Sequence, residues 1–175
     1  MSERTISEES TIYHYTLVRK IGIRPVFLSL HLLALGLFLG IEWISFGALT
    51  APAALAGFAA AWLVHIIFTR LFIAFTKHFS SAAWSNRLAL PWLGYLPSGT
   101  TAFSSYRLWL HQSTWIGAAA IVLLFQWLPG VWFSSLLFAH IWMILPRYSI
   151  LWSFRKLGAG GLIRFNEKDI SYYRP

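Results

Sequence analysis

The chain has no cysteine, which excludes disulfides, thiolate chemistry, Cys-ligated iron–sulfur clusters and c-type haem attachment. Charge is scarce: 11% of residues are Asp, Glu, Lys or Arg, against about 25% in an ordinary soluble domain. Acids are scarcer still, six in 175 residues. Glu42 is the one acid inside an apolar segment, so the carboxylates of a hydrolytic or di-iron centre are missing. There is no HExxH pair, no glycine-rich phosphate loop and no serine nucleophile motif. Ser98-Gly99 lacks the Lys that a phosphate loop needs and reads as a turn or cap. No catalytic residue and no metal set is assigned, and the reading leans away from an enzyme.

What the chain has instead is apolar length. Hydrophobic residues make up 57% of it, and there are ten Trp. Four apolar runs predict helices over about 25–46, 53–76, 106–128 and 131–152, near the roughly 20 residues that a bilayer crossing requires. All fourteen Lys and Arg lie to one side of these runs. Arg4, Arg19, Lys20 and Arg24 precede the first, Arg70, Lys77, Arg87 and Arg107 lie at or between the second and third, and the rest cluster from Arg147 onward. The connectors 47–52 and 129–130 hold none. Short loops bearing Lys and Arg stay cytoplasmic.

The expected fold is therefore an all-α membrane protein with four transmembrane helices in two antiparallel hairpins. It would lie in the inner membrane as a multi-pass protein with both termini cytoplasmic. The start of the chain is polar and carries Glu3, Glu8 and Glu9, unlike the basic start of a cleaved signal peptide, so the first run is expected to stay as an anchor. A net charge of +8 could suggest nucleic acid, but the cations are dispersed beside hydrophobic runs. The implied partner is the anionic lipid bilayer rather than nucleic acid.

The domain reading is a transmembrane unit over 1–156 and a cytoplasmic tail over 157–175. Within the first, the stretch 77–112 is too apolar for a solvated loop and is broken by Pro91, Pro97 and Gly99. Phe103, Tyr106, Trp109 and Leu110 share one arc of a helical wheel, which predicts an amphipathic segment lying in the interface with its aromatic face toward acyl chains. In the tail, Leu162–Phe165 and Ile170–Tyr173 flank a polar turn and predict a β-hairpin. A lone hairpin is marginal in water, so the membrane surface or another chain would have to complete it.

Candidate sites come from side chains at membrane depth, where ionisable groups are functional candidates by default. His65 and His140 fall at similar depth in the second and fourth helices, with His31 nearer the cytoplasmic face. Two facing histidines could ligate a b-type haem or a related macrocycle, or each could hydrogen-bond across a helix contact. Arg147 follows His140 by seven residues and shares its face. With Arg70, Arg107 and His111 it could form a cytoplasmic cradle for a lipid phosphate or an anionic substrate. Gly36, Gly40, Gly57 and Ala61 are the small residues expected at helix contacts. Three functions follow as expectations: a non-catalytic subunit or assembly component of a larger membrane complex, a haem- or pigment-binding redox subunit using His65 and His140, or a small transporter or anionic-lipid-handling protein.

Overall fold

The structure, a computed structural model, describes residues 15–76, 84–166 and 169–174. Arg4, Lys77 and Lys168 lie outside the described residues, as does the first part of the 77–112 stretch. The order of elements is β1 (Thr16–Gly22), α1 (Pro25–Phe46), α2 (Thr50–Phe75), β2 (Trp84–Arg87), β3 (Gly94–Pro97), β4 (Thr100–Ala102), α3 (Phe103–Leu124), α4 (Gly130–Phe154), β5 (Leu162–Phe165) and β6 (Asp169–Arg174).

Local chemistry sets the helix ends. Arg24 is extended, as the residue before a proline tends to be, and Pro25 opens α1, where its missing N–H costs nothing. Gly47, at φ +60°, closes α1 by donating its N–H to the Trp43 carbonyl, a backbone state that glycine adopts without strain. A short 3₁₀ turn, Gly47–Leu49, then leads directly into α2.

Named contacts give the helix directions. Phe38 stacks on Phe138 and Trp142 on His31, so α1 runs antiparallel to α4. Gly57 backs onto Ser135 and His65 meets His140, so α2 runs alongside α4 in the same sense. Thr114 meets His140 while Tyr106 reaches Arg147, so α3 is antiparallel to α4. The turn after α1 and the turn before α4 therefore lie at one end, where Gly130 approaches the Phe46 ring.

The sheets cap the opposite end. Strands β1-β6-β5-β4 form an antiparallel sheet, and β2 pairs with β3 in a second. In the larger sheet Ile163, Phe165, Ile170 and Tyr172 alternate inward, as the period of two in a strand requires. They pack on Phe103, Tyr106 and Phe154 at the ends of α3 and α4. A backbone bond from Phe103 N–H to Gly161 O ties helix to sheet.

These facts correct the expected fold. The protein is not an all-α membrane protein with four spans, because two antiparallel sheets are part of its core. Among the described residues the helical chain falls into three stretches, and one of them, Pro25–Phe75, made of α1, the 3₁₀ turn and α2, is long and apolar enough to cross a membrane. The remaining two are diluted by polar side chains: Arg107, His111 and Gln112 in α3, and His140 and Arg147 in α4. The interfacial segment is corrected as well. Tyr106, Trp109 and Leu110 are wholly buried against protein, so their arc faces a core and not acyl chains. The two tail strands form where the pattern placed them, but this chain completes their sheet itself with β1 and β4. Glu42, the one acid inside an apolar run, is buried and accepts hydrogen bonds from Ser134 and Ser135 of α4.

Candidate functional site

Two features gather most of the polar side chains picked out from the sequence: a buried hydrogen-bond chain between α2 and α4, and an open basic groove beside it. In the first, Nε2 of His65 lies 3.0 Å from Nδ1 of His140. Nδ1 of His65 faces an Arg147 guanidinium nitrogen at 3.4 Å, and Nε2 of His140 faces the Thr114 carbonyl at 3.3 Å. All three side chains are buried.

Proton positions follow from what each neighbour can do. A guanidinium only donates, so His65 Nδ1 accepts and His65 carries its proton on Nε2. That proton goes to His140 Nδ1, leaving His140 protonated on Nε2, which donates to the Thr114 carbonyl. Both rings are thus assigned as neutral by the network. All four ring nitrogens are engaged. The chain ends on a carbonyl, which cannot relay a proton, so it is a fixed structure and not a proton wire.

Arg147 anchors this chain. It donates to Leu93 O at 2.9 Å, and its guanidinium stands 5.4 Å from the Trp109 ring centroid. Its Nε has no hydrogen-bond partner among the described residues. Gly94, at φ +110°, presses against the same guanidinium and leaves no room for a side chain. One arginine therefore clamps the β2–β3 connection onto the helices, using a carbonyl and a ring where a buried cation would ordinarily require an acid. Thr69 and Trp109 extend the polar set: Trp109 donates to Thr69 Oγ1, which donates to His65 O.

The pair does not fit a haem. The two rings touch each other, with centroids 5.1 Å apart, and no macrocycle can pass between nitrogens already bonded together. Gly117 lies directly against the His140 ring on the other side. His31 sits apart, stacked on Trp142 at 4.0 Å with both ring nitrogens lacking hydrogen-bond partners among the described residues. No group of three or more His, Cys, Asp or Glu that could hold a metal is found among the described residues.

The expected cradle of Arg70, Arg107, His111 and Arg147 does not come together as one site. Arg147 points inward, and Arg70 stands over the Tyr95 ring. Arg107 and His111 line a groove of about 760 Å³ between α3 and α4, with Arg155 across from them. Phe27, Leu145, Leu151 and Trp152 supply its apolar wall. An adjoining groove of about 470 Å³ is lined by Arg19, Lys20 and Arg24 beside Pro91 and Trp92. The two grooves share Phe27, Ser149 and Ser153. Tyr148 connects groove and buried chain: it meets His111 Nδ1 at 3.1 Å and donates to Thr114 Oγ1 at 3.1 Å.

Of the packing glycines, Gly57 backs onto the Ser135 backbone, and Ala61 is buried among α3 and α4 residues. Gly36 and Gly40 have open space where a side chain would be. Sequence reasoning missed Tyr148, Thr114 and Arg155. His111 and Thr114 do share a face of α3 at a spacing of three, which was the available signal. No protein-family model, curated protein or solved structure matches this chain.

Proposed function

We propose that this is a membrane-inserted, non-catalytic protein that holds an anionic phospholipid in the groove between α3 and α4. The observation that carries the reading is the groove's lining. Arg107, His111 and Arg155 stand beside an apolar wall that includes Leu145 and Trp152, the pairing of cation and hydrocarbon surface that an anionic amphiphile needs.

Insertion itself is supported by the Pro25–Phe75 stretch. Leu30, Leu33, Leu37, Ile41, Leu63 and Ile67 there are exposed, far more apolar surface than water tolerates in one patch. In this reading the sheets lie on the cytoplasmic side of an inner membrane, because the cations of β1 and of the grooves cluster at that end and Lys/Arg-bearing segments stay inside. Extraction in a mild neutral detergent at low salt should yield protein carrying anionic phospholipid at a fixed ratio, and higher salt should strip it. Recovery of neutral lipid alone would end this proposal.

A second reading, a subunit or assembly component of a larger membrane complex, is favoured by one observation. Among the described residues, nothing lies within 4 Å of where a side chain at Gly36 or Gly40 of α1 would begin, and small residues at that spacing allow close helix approach in lipid. Cross-linking from a cysteine placed at Gly40 in native membranes tests it, and an absence of any protein adduct would count against it.

A further inference from the structure

The lipid reading concerns one groove, yet the structure places a second set of cations beside it. Arg107, His111 and Arg155 face the first groove from α3 and the end of α4. Arg19, Lys20 and Arg24 face the second from β1 and the turn into α1. One partition, Phe27 with Ser149 and Ser153, borders both. Lys20 is matched by Asp169 at 3.1 Å, and Arg19 is steered onto the partition by donating to Ser153 O at 2.9 Å. Arg24 has no acid partner among the described residues. A lipid with one phosphate would neutralise one set and leave the other facing the partition.

Resting on the lipid reading above, we infer that the preferred occupant is a phospholipid bearing two phosphates, its bridge laid across Ser149 and Ser153. One phosphate would lie with Arg107 and Arg155, the other with Arg19 and Arg24. The acyl chains would run down the Leu145 and Trp152 wall of the larger groove. Free phosphate has no use for that wall, so the occupant committed to is a lipid.

The test uses the full chain in nanodiscs of neutral phosphatidylcholine, doped at equal phosphate with either phosphatidylglycerol or diphosphatidylglycerol. Retention of each lipid is counted by mass spectrometry for the wild type, for Arg19→Ala with Arg24→Ala, and for Arg107→Ala with Arg155→Ala. Each pair should weaken diphosphatidylglycerol retention by roughly tenfold or more, at about fivefold per cation near a lipid surface. Phosphatidylglycerol should respond only to the Arg107/Arg155 pair. Should the first pair fail to fold, the single change Arg24→Gln at an exposed position carries the same expectation at about fivefold. If diphosphatidylglycerol ignores Arg19 and Arg24 while still responding to Arg107 and Arg155, the two-phosphate inference is overturned and the lipid reading stands. Equal responses of both lipids to both pairs would overturn it too. If neither lipid is retained above phosphatidylcholine, the lipid reading itself fails and takes the inference with it.

Discussion

His65 Nε2 lies 3.0 Å from His140 Nδ1, and Arg147 fixes the direction of the bond between them. Neither ring is free to turn, because each opposite nitrogen is also held, by Arg147 on one side and the Thr114 carbonyl on the other. The relationship is structural: it joins α2, α3 and α4 at one level through a single polar chain.

Removing one member leaves its neighbours stranded. His65→Ala exposes a buried guanidinium N–H and a buried ring nitrogen to no partner at all, which should destabilise the fold by about 3 kcal/mol. His140→Ala should cost less, since Arg147 keeps its contact with His65. In a double-mutant cycle read by denaturant unfolding in micelles, the two should couple by about 1–2 kcal/mol. Simple additivity would argue that the rings share no bond.

The tautomers are a separate expectation. ¹⁵N spectra of the histidine rings should show His65 and His140 protonated on Nε2 and not on Nδ1, with the Arg147 contact as the cause. A Nδ1-protonated His65 would show that the guanidinium does not set the chain's direction.

Small residues should divide sharply by position. A side chain at Gly57 meets the Ser135 carbonyl carbon at 2.8 Å, and one at Gly117 enters the His140 ring. Gly57→Leu and Gly117→Ala should each lower stability by about 1–3 kcal/mol through overpacking. Gly36→Ala should leave unfolding of the isolated chain unchanged or slightly improved, because that site is open. Thermal melts of the three variants provide the comparison.

The sheet has its own pH dependence, through Asp169. Burial pushes its carboxyl upward, but hydrogen bonds from Asn166, Lys20 and Ser171 outweigh this and hold it below its ordinary 3.8. A lowered folded value means that the ionised form stabilises the fold above the unfolded value and that this contribution is lost as pH falls through the folded value. Amide protection across β1 and β6, taken relative to the intrinsic exchange rate at each pH, should therefore fall below about pH 3.8. Asp169→Asn should remove that step while costing well under about 1 kcal/mol at neutral pH, since Lys20 is largely exposed. An unchanged pH profile in Asp169→Asn would place the step elsewhere.

How far the sequence could be read depended on whether a pattern has one physical meaning. The strands at Leu162–Phe165 and Asp169–Arg174 were legible because inward Ile163, Phe165, Ile170 and Tyr172 alternate around a polar turn. Strand β1 was not, because Thr16–Gly22 is an edge strand exposed along nearly all its length and carries no alternation. The Phe103, Tyr106, Trp109 and Leu110 arc is the same whether it meets lipid or protein, and only the sheet pairing resolves it. In the site, the seven-residue spacing of His140 and Arg147 did put both on one face. That Arg147 would bend to His65 rather than join Arg107 follows from Leu93 and Gly94, which the 91–94 turn brings over α4.

The central claim, an anionic phospholipid in the α3–α4 groove, is best tested by protection of a thiol placed in its wall. The natural chain has no cysteine, so Leu145→Cys gives a single reporter at an exposed groove position. Its rate of reaction with a membrane-permeant maleimide is measured in nanodiscs of neutral lipid and in nanodiscs containing anionic lipid. The predicted result is slower labelling with anionic lipid, with protection lost in the Arg107→Ala, Arg155→Ala background. Equal rates in both lipids and both backgrounds would contradict the account.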